Sequence, residues 1–177
     1  MLKERIDGLL DRVQKPARYM GGEMNAVLKD PDSVDIRYAF AFPDVYEVGM
    51  SHLGSRILYD IINKRDDALC ERVFMPWVDM ADLMREEKVP LFSIETRSAV
   101  REFDMQGITL QYEMSYTNIL EMLDLAGIPL HSEDRPGRIR SSSRVARALS
   151  TRNRCIILLM RSPSATVKSA RWKRSML

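Results

Sequence analysis

The sequence of 177 residues has only two cysteines and two histidines, and its apolar runs are short. Two isolated cysteines, Cys70 and Cys155, argue against a disulfide framework and fit a reducing compartment, so we expect a cytoplasmic protein. No apolar run approaches the roughly 18 residues that a membrane span needs. The N-terminal stretch carries acids and has no cleavage site of a secretory signal. We therefore predict neither secretion nor a membrane partner.

Acidic residues are absent from one part of the chain. Residues 138–177 contain 11 Lys and Arg and no Asp or Glu, whereas residues 1–137 contain 25 acidic and 16 basic residues. A single compact domain rarely separates its basic and acidic residues so completely along the sequence. We divide the chain into an N-terminal helix and linker (1–30), an α/β domain (31–137) and a basic tail (138–177) that we expect to be disordered.

The pattern of the first two parts predicts alternating strands and helices. The chain opens with an amphipathic helix that Pro16 ends, and its later helices begin near Leu53, Trp77 and Tyr116, with Asp79 as a candidate cap. Apolar or alternating runs predict the strands IRYAFAFP, ALCERVFMP, LFSIE and GITLQYE, and DVYEVGMSHLG reads as a loop. This alternation predicts an α/β domain with a mostly parallel sheet.

Ligands of such domains bind at the carboxyl ends of the strands. The loops Pro43–Gly54 and Gln111–Thr117 are therefore the candidate site. His52 is either a metal ligand or proton shuttle, or a loop histidine bonded to backbone. Asp44 and Glu47 are either an acid/base pair or helix caps and solvated carboxylates.

Other residues of note have a structural as well as a functional interpretation. Gly49 and Gly54 indicate tight backbone geometry before a helix, which would let a cofactor approach closely. The methionines at 75, 80 and 84 are more typical of a core than of a cofactor site. Cys70 lies within a predicted strand, which favours a buried, unreactive thiol. No Walker loop, zinc spacing or nucleophile elbow is present, so we assign no catalytic residue and no metal ligand.

Long strings of the first 137 residues, in order, resemble the start of a bacterial family of B12-binding radical-SAM proteins. They are KPARYMGGEMNAVLKD (Lys15 to Asp30), AFPDVYEVGMSHLGSRILYDIIN (Ala41 to Asn63), ERVFMPWVDM (Glu71 to Met80), PLFSIETR (Pro90 to Arg97) and FDMQGITLQYEMSYTNILEMLDLAGIPL (Phe103 to Leu130). The resemblance implies an incomplete Rossmann-like, cobalamin-binding-type domain. In full-length relatives it implies a following barrel that holds a [4Fe–4S] cluster and S-adenosylmethionine.

The chain departs from the family's motifs in two respects. B12 domains present D-x-H-x-x-G and S-x-L, whereas here the spacing of Asp44 and His52 does not fit and Thr109 to Gln111 retains only a hydroxyl. Radical-SAM chemistry needs three clustered cysteines, which two isolated ones cannot supply. The cofactor-binding candidates that the resemblance implies are Asp44, Gly49, Ser51, His52, Gly54, Thr109 and Gln111.

The basic tail admits three interpretations. It could be a nucleic-acid-binding arm, but Trp172 is its only aromatic residue, so base stacking is scarcely available. It could be a membrane arm around CIILLM, but the apolar residues there form a block and not a helical stripe. The third is a change of reading frame near Arg140, which we favour.

In the alternative frame, permitted codons give IIIAGGPCAFNPEPLYNLADAFTIGDGEE, which resembles the family's next segment. It begins with a strand that would join the sheet, so we expect the present chain to leave that place empty and an edge exposed.

Three functions follow from these observations. The first is a truncated cobalamin-binding-type domain of a radical-SAM protein, without catalysis of its own. The alternative is a non-enzymatic α/β interaction module whose basic tail binds RNA. The third is a small enzyme acting through Asp44, Glu47 and His52.

Overall fold

A computed structural model describes residues 2–110 and 112–131, and the backbone alone of residues 140–141 and 155–160. Its α-helices are α1 (Leu2–Leu10), α2 (Ala17–Met20), α3 (Tyr46–Ser51), α4 (Leu53–Asn63), α5 (Val78–Glu86) and α6 (Ser115–Leu125). Its strands are β1 (Ile36–Phe42), β2 (Ala68–Phe74), β3 (Met105–Leu110), β4 (Arg140–Ser141) and β5 (Cys155–Met160), with short 3-10 turns at Pro31–Ser33 and Val100–Glu102.

The sheet has the strand order β2-β1-β3-β5-β4. Strand β1 pairs in parallel with β2, from Ile36 opposite Ala68 to Phe42 opposite Phe74. On its other side β1 pairs in parallel with β3, from Tyr38 opposite Met105 to Ala41 opposite Ile108. The three strands of the α/β part are thus all parallel and flanked by helices, as the sequence predicts for an incomplete Rossmann-like fold.

Helices cover both faces of this parallel sheet. On one face Tyr38 and Phe40 pack with Tyr59 and Ile62 of α4. The opposite face packs against α1, α5 and α6, through a buried cluster that includes Ala39, Ala41, Ile108, Ile6, Met80, Met84, Ile119 and Met122. Complete burial of one isoleucine or methionine side chain stabilises the fold by about 1.5–3 kcal/mol. The methionines at 80 and 84 are therefore core residues, and Met75 packs at the edge of the same cluster.

Some local predictions are wrong. The predicted loop DVYEVGMSHLG contains helix α3, so Gly49 lies in a helix. LFSIE makes only an isolated bridge between Phe92 and Ala99 instead of a strand. Helical spacing predicts an apolar face of α4 made of Leu53, Ile57, Leu58, Ile61 and Ile62. Only Ile62 of these is buried and Leu58 packs beside it, whereas Leu53, Ile57 and Ile61 are exposed.

Asp79 also differs from its prediction. Its carboxylate makes no cap to α5, whose N-cap is Trp77. It accepts instead from the backbone N–H groups of Gln14, at 2.8 Å, and Met80, at 2.7 Å. The side chain ties the end of the first helical segment to the start of α5.

The place beside β3, which we expected to be empty, is occupied. Strand β5 pairs antiparallel with β3, from Met160 opposite Met105 to Cys155 opposite Leu110, and β4 pairs with β5 in turn. The rest of the basic tail lies outside the described residues, so the division into three segments stays a prediction. No helix of the described part of the chain is long and apolar enough to cross a membrane.

Candidate functional site

The strand order places the topological switch point of the sheet at the carboxyl ends of β1 and β3, and we name the place between the loops that follow them the crevice. After β1 the chain crosses to β2 on one side, and after β2 it crosses back to β3 on the other side. The chain segments that follow β1 and β3 therefore lead to opposite faces of the sheet, which is the arrangement that forms a ligand crevice in open α/β sheets. Such a switch point is the usual ligand site of open α/β sheets, and it lies between the two loops that the sequence pattern selects.

Asp44 connects the ends of all three parallel strands. It follows β1 directly, and its backbone carbonyl accepts from the Met75 N–H, after β2, at 3.0 Å. Its Oδ1 accepts from the Val45 N–H at 2.8 Å. Its Oδ2 accepts from the Tyr112 hydroxyl, after β3, at 3.1 Å. Because Asp44 is only partly buried, this carboxylate remains at the surface of the crevice.

A second bond joins the two loops. The Asn118 side-chain amide, on α6, donates to the Pro43 carbonyl at 2.9 Å. Tyr112 and Asn118 were absent from the sequence-derived candidates. The signal that could have found them is their place in or just after the loop at the end of β3, since polar side chains there face the loop after β1.

His52 acts as a helix cap. It lies between α3 and α4, and its Nδ1 accepts from the Ser55 N–H at 3.1 Å and lies 2.8 Å from the Ser55 hydroxyl. Its ring packs against Phe42, with ring centroids 5.2 Å apart. An Nδ1 that accepts from a backbone N–H carries no proton, so the neutral ring is the form that caps α4. These contacts favour the structural interpretation of this histidine.

Gly49 is required by packing within the protein. A Cβ atom at this position would overlap the Phe74 ring and lie 3.2 Å from Phe42. The glycine therefore brings α3 close to the ends of β1 and β2. Ser51, at the end of α3, is exposed and donates to the Val48 carbonyl at 2.8 Å, while Gly54 lies in the first turn of α4.

Among the predicted cofactor-binding residues, Thr109 has a buried hydroxyl that is free to hydrogen-bond a ligand. It lies near the end of β3 and is 6% exposed, and its hydroxyl is among the buried polar atoms without a hydrogen-bond partner. A buried hydroxyl left without a partner costs about 1–3 kcal/mol. The neighbouring candidate Gln111 lies outside the described residues.

Asp44 and Glu47 are not arranged as an acid/base pair. Glu47 is exposed and turns away toward α2, where it accepts from Arg18 at 2.9 Å and lies 3.7 Å from the Lys15 amine. Its own backbone N–H and the Arg18 guanidinium lower the pKa of the Glu47 carboxyl below its ordinary value. The partners of Asp44 and Glu47 are thus different, and the structure gives the two carboxylates no shared contact.

The most densely bonded polar cluster lies elsewhere, at the free edge of β2. Glu95 is fully buried and accepts from the Arg72 side chain at 2.6 Å and from the Arg72 N–H at 2.8 Å. The Arg72 carbonyl accepts from the Ile94 N–H at 2.9 Å. The Arg72 guanidinium also lies 3.6 Å from Glu23 and 4.4 Å from the centre of the Tyr59 ring. We name the segment Ser93–Ser98 the edge strap.

The edge strap is held on the other face of β2 as well. Glu71 is fully buried, and its Oε2 accepts from the Ser93 hydroxyl at 2.7 Å and the Thr96 N–H at 3.2 Å. Its Oε1 lies 3.5 Å from the Arg37 guanidinium. Sequence reasoning missed this network because Glu71 and Arg72 stand inside an apolar strand, where only the fold shows that both are buried.

Two further properties bear on the chemistry of the molecule. Cys70 is fully buried, as predicted, and burial raises the pKa of its thiol well above its ordinary value, which favours an unreactive thiol. Within residues 2–110 and 112–131, no cluster of three or more His, Cys, Asp or Glu side chains is suited to a metal ion.

Several exposed apolar side chains lie in the segments that follow the three parallel strands. Exposed residues follow each strand in turn, and they are Val48 and Leu53 after β1, Trp77 and Val78 after β2, and Tyr112, Met114 and Tyr116 after β3. We name this set the apolar rim. Scattered apolar residues are normal on a surface, but a group of this kind at the ligand end of an α/β sheet suits a large, partly apolar ligand.

The fold and the switch-point crevice define an α/β domain of the doubly wound class. Within it, residues 54–139 match the family described as radical SAM proteins, N-terminal. The match supports a radical-SAM N-terminal region in this chain. No curated protein and no solved structure matches the chain.

Proposed function

We propose that this chain carries a cobalamin-binding-type domain of a radical-SAM protein, with the crevice between β1 and β3 as the ligand site. The observation that carries the proposal is the buried, unpartnered Thr109 hydroxyl near the end of β3. It stands at the position where the family has the serine of its S-x-L motif. A hydroxyl without a protein partner is suited to a polar ligand group that enters beside it.

The residues around the crevice fit a large macrocycle with amide side chains. Asp44 offers a carboxylate that can accept amide N–H groups, and Tyr112 offers a phenol beside it. The apolar rim offers surface for the flat, weakly polar part of the ligand. In this arrangement Thr109 would hydrogen-bond the inserted end of the ligand, and Asp44 would orient its periphery.

His52 is assigned no part in binding the metal. Its Nδ1 accepts from the Ser55 N–H and its ring packs on Phe42. Rotating the ring away from these contacts would uncap α4. Bound cobalamin supplies a cobalt centre capable of redox and alkyl-transfer chemistry, and the protein's part is to bind and orient the ligand without a histidine ligand.

The binding proposal is tested by titrating the purified full chain with aquocobalamin, followed by absorbance and by equilibrium dialysis. We expect saturable binding, weakened about fivefold to 150-fold in Thr109→Val, because a polar group of the ligand then loses its buried partner. Ser33→Ala is the control, since it removes an exposed hydroxyl from the turn before β1, at the opposite end of that strand. Absence of saturable binding to the wild-type chain would refute the proposal.

We further propose that the tail arises from a change of reading frame near Arg140. The family match ends at residue 139, next to the point where the alternative frame begins to resemble the family. The cluster and S-adenosylmethionine that the family name implies would then belong to the barrel of full-length relatives. The test is the nucleotide sequence around codons 136–142. An uninterrupted frame there, or a downstream frame without C-x-x-x-C-x-x-C, would contradict the idea.

A further inference from the structure

Tyr112 and Asp44 meet across the opening of the crevice. The Tyr112 hydroxyl donates to Asp44 Oδ2 at 3.1 Å, and this is a direct bond between the loop after β3 and the loop after β1. Tyr112 is 49% exposed, so its ring stands at the surface and is not packed into the core. The pair therefore lies between the two loops that border the proposed ligand site.

The pair is attached to rigid elements on both sides. Asp44 is fixed by its bonds to the N–H groups of Val45 and Met75. The Tyr112 carbonyl accepts from the Ser115 N–H at 3.1 Å, which ties Tyr112 to the start of α6. Breaking the Tyr112–Asp44 bond therefore releases the Tyr112 side chain, while Asp44 and the start of α6 keep these other bonds.

We infer that the Tyr112–Asp44 hydrogen bond is a latch that closes the crevice, and that ligand binding has to break it. Once opened, the latch supplies two ligand contacts, an aromatic face from Tyr112 and a carboxylate acceptor from Asp44. This combination suits a flat macrocycle bordered by amide N–H donors. The identity of the ligand rests on the proposed function, whereas the latch itself rests on the geometry of the two loops.

The bond is weak enough to open. A hydrogen bond at the surface contributes modestly to stability, because water replaces it when it breaks. Asn118 keeps the loops in register through its bond to the Pro43 carbonyl when the latch is open. Opening is therefore a local movement of Tyr112 and does not require the sheet to separate.

The experiment compares the wild-type full chain with Tyr112→Phe, which keeps the ring and removes the hydroxyl. Hydrogen exchange is measured by mass spectrometry for peptides that cover residues 43–48 and 112–118. We expect exchange in both segments to be about twofold to tenfold faster in the variant, and unchanged in the edge strap. Tyr116→Phe is the matched control for exchange, because Tyr116 is a similarly exposed tyrosine in the first turn of α6.

Binding gives an independent second measurement. Aquocobalamin is expected to bind Tyr112→Phe about twofold to tenfold faster than wild type, because no latch has to open first. Unchanged exchange in both segments, or equal association rates in the two proteins, would overturn the inference. If aquocobalamin binds neither protein, the proposed function fails and the exchange comparison alone decides the latch. A melting curve of each variant confirms that it is folded.

Discussion

The two polar regions at the ends and edge of the sheet are built in opposite ways. At the crevice, Asp44 and Tyr112 are joined by one hydrogen bond between side chains that water reaches. At the edge strap, Arg72 and Glu95 form a buried ion pair with further bonds to backbone. The stronger network therefore holds the fold together, and the weaker one faces the place where a ligand would enter.

The edge strap covers the exposed edge of strand β2. Strand β2 is at the edge of the sheet, and an edge strand presents unpaired backbone groups that can bind another chain. The Ile94 N–H and the Glu95 carboxylate take up the carbonyl and the N–H of Arg72. They replace part of a neighbouring strand, which protects the edge and leaves the carboxyl end of the sheet free.

The largest effect is expected from Arg72→Met, which leaves Glu95 buried without its cation. Removing one partner of a buried ion pair costs about 3–5 kcal/mol, so we expect a loss of this size in the free energy of unfolding at pH 8, measured by urea denaturation. Lys64→Met is the control, because the Lys64–Asp60 pair at 2.7 Å is exposed and should contribute less than about 1 kcal/mol. Equal losses in the two variants would show that the strap is not held by this pair.

The same pair predicts a dependence on pH. Burial raises the pKa of the Glu95 carboxyl from 4.5 to about 7, although Arg72 opposes the change. The folded chain thus holds the Glu95 proton more tightly than the unfolded chain. This tighter proton binding contributes fully to the free energy of unfolding below pH 4.5, and the contribution is lost as pH rises through about 7. Unfolding free energies from pH 5 to 8 should fall more steeply for wild type than for Glu95→Gln. Glu113→Gln, at an exposed site, should keep the wild-type slope.

A moderate effect is expected at Gly49, where the fold leaves no room for a methyl group. Gly49→Ala would overlap the Phe74 ring, and overpacking of this kind costs about 1–3 kcal/mol. Gly8→Ala is the matched control, since nothing lies within 4 Å of a Cβ there and alanine favours a helix by about 0.5–1 kcal/mol. Thermal unfolding of both variants measures the contrast. If Gly49→Ala unfolds at the same temperature as the wild type, α3 can move away from β2.

The smallest effect on stability is expected at His52, where two substitutions distinguish a helix cap from a metal ligand. His52→Ala removes the acceptor for the Ser55 N–H, and loss of an N-cap costs about 0.5–2 kcal/mol. His52→Asn supplies another capping side chain and should recover most of that stability in urea denaturation. If the cap is its whole role, His52→Asn should also bind aquocobalamin as wild type does. A changed cobalamin spectrum in His52→Asn would instead restore the histidine as a metal ligand.

The repeated pattern of the chain was enough to predict the order of elements and the position of the site. The strands β1, β2 and β3 and the helices α1, α4, α5 and α6 all coincide with segments that the sequence indicates. The loops after β1 and β3 are also found side by side. Within α4 helical spacing was only partly informative, because Ile62 and Leu58 pack with the core whereas Leu53, Ile57 and Ile61 are exposed.

The remaining errors have a common cause. LFSIE has the composition of a strand, but the segment turns over the edge of β2, where Glu95 bonds to Arg72. Tyr112 and Asn118 carry no motif, and only the meeting of two distant loops makes them neighbours of Asp44 and Pro43. Such contacts depend on strand order, which a local pattern does not contain.

The sequence by itself determined the α/β class, the parallel strands and the family resemblance, because these depend on hydrophobic periodicity and on long strings of residues. The tertiary structure decided which polar residues act together. It buried Glu71 and Arg72 of β2 against the Glu95 side chain and the rest of the edge strap, and it left the Thr109 hydroxyl without a partner. The physical reason is that burial and hydrogen bonding are set by elements far apart in the chain, which come together only when the sheet is assembled.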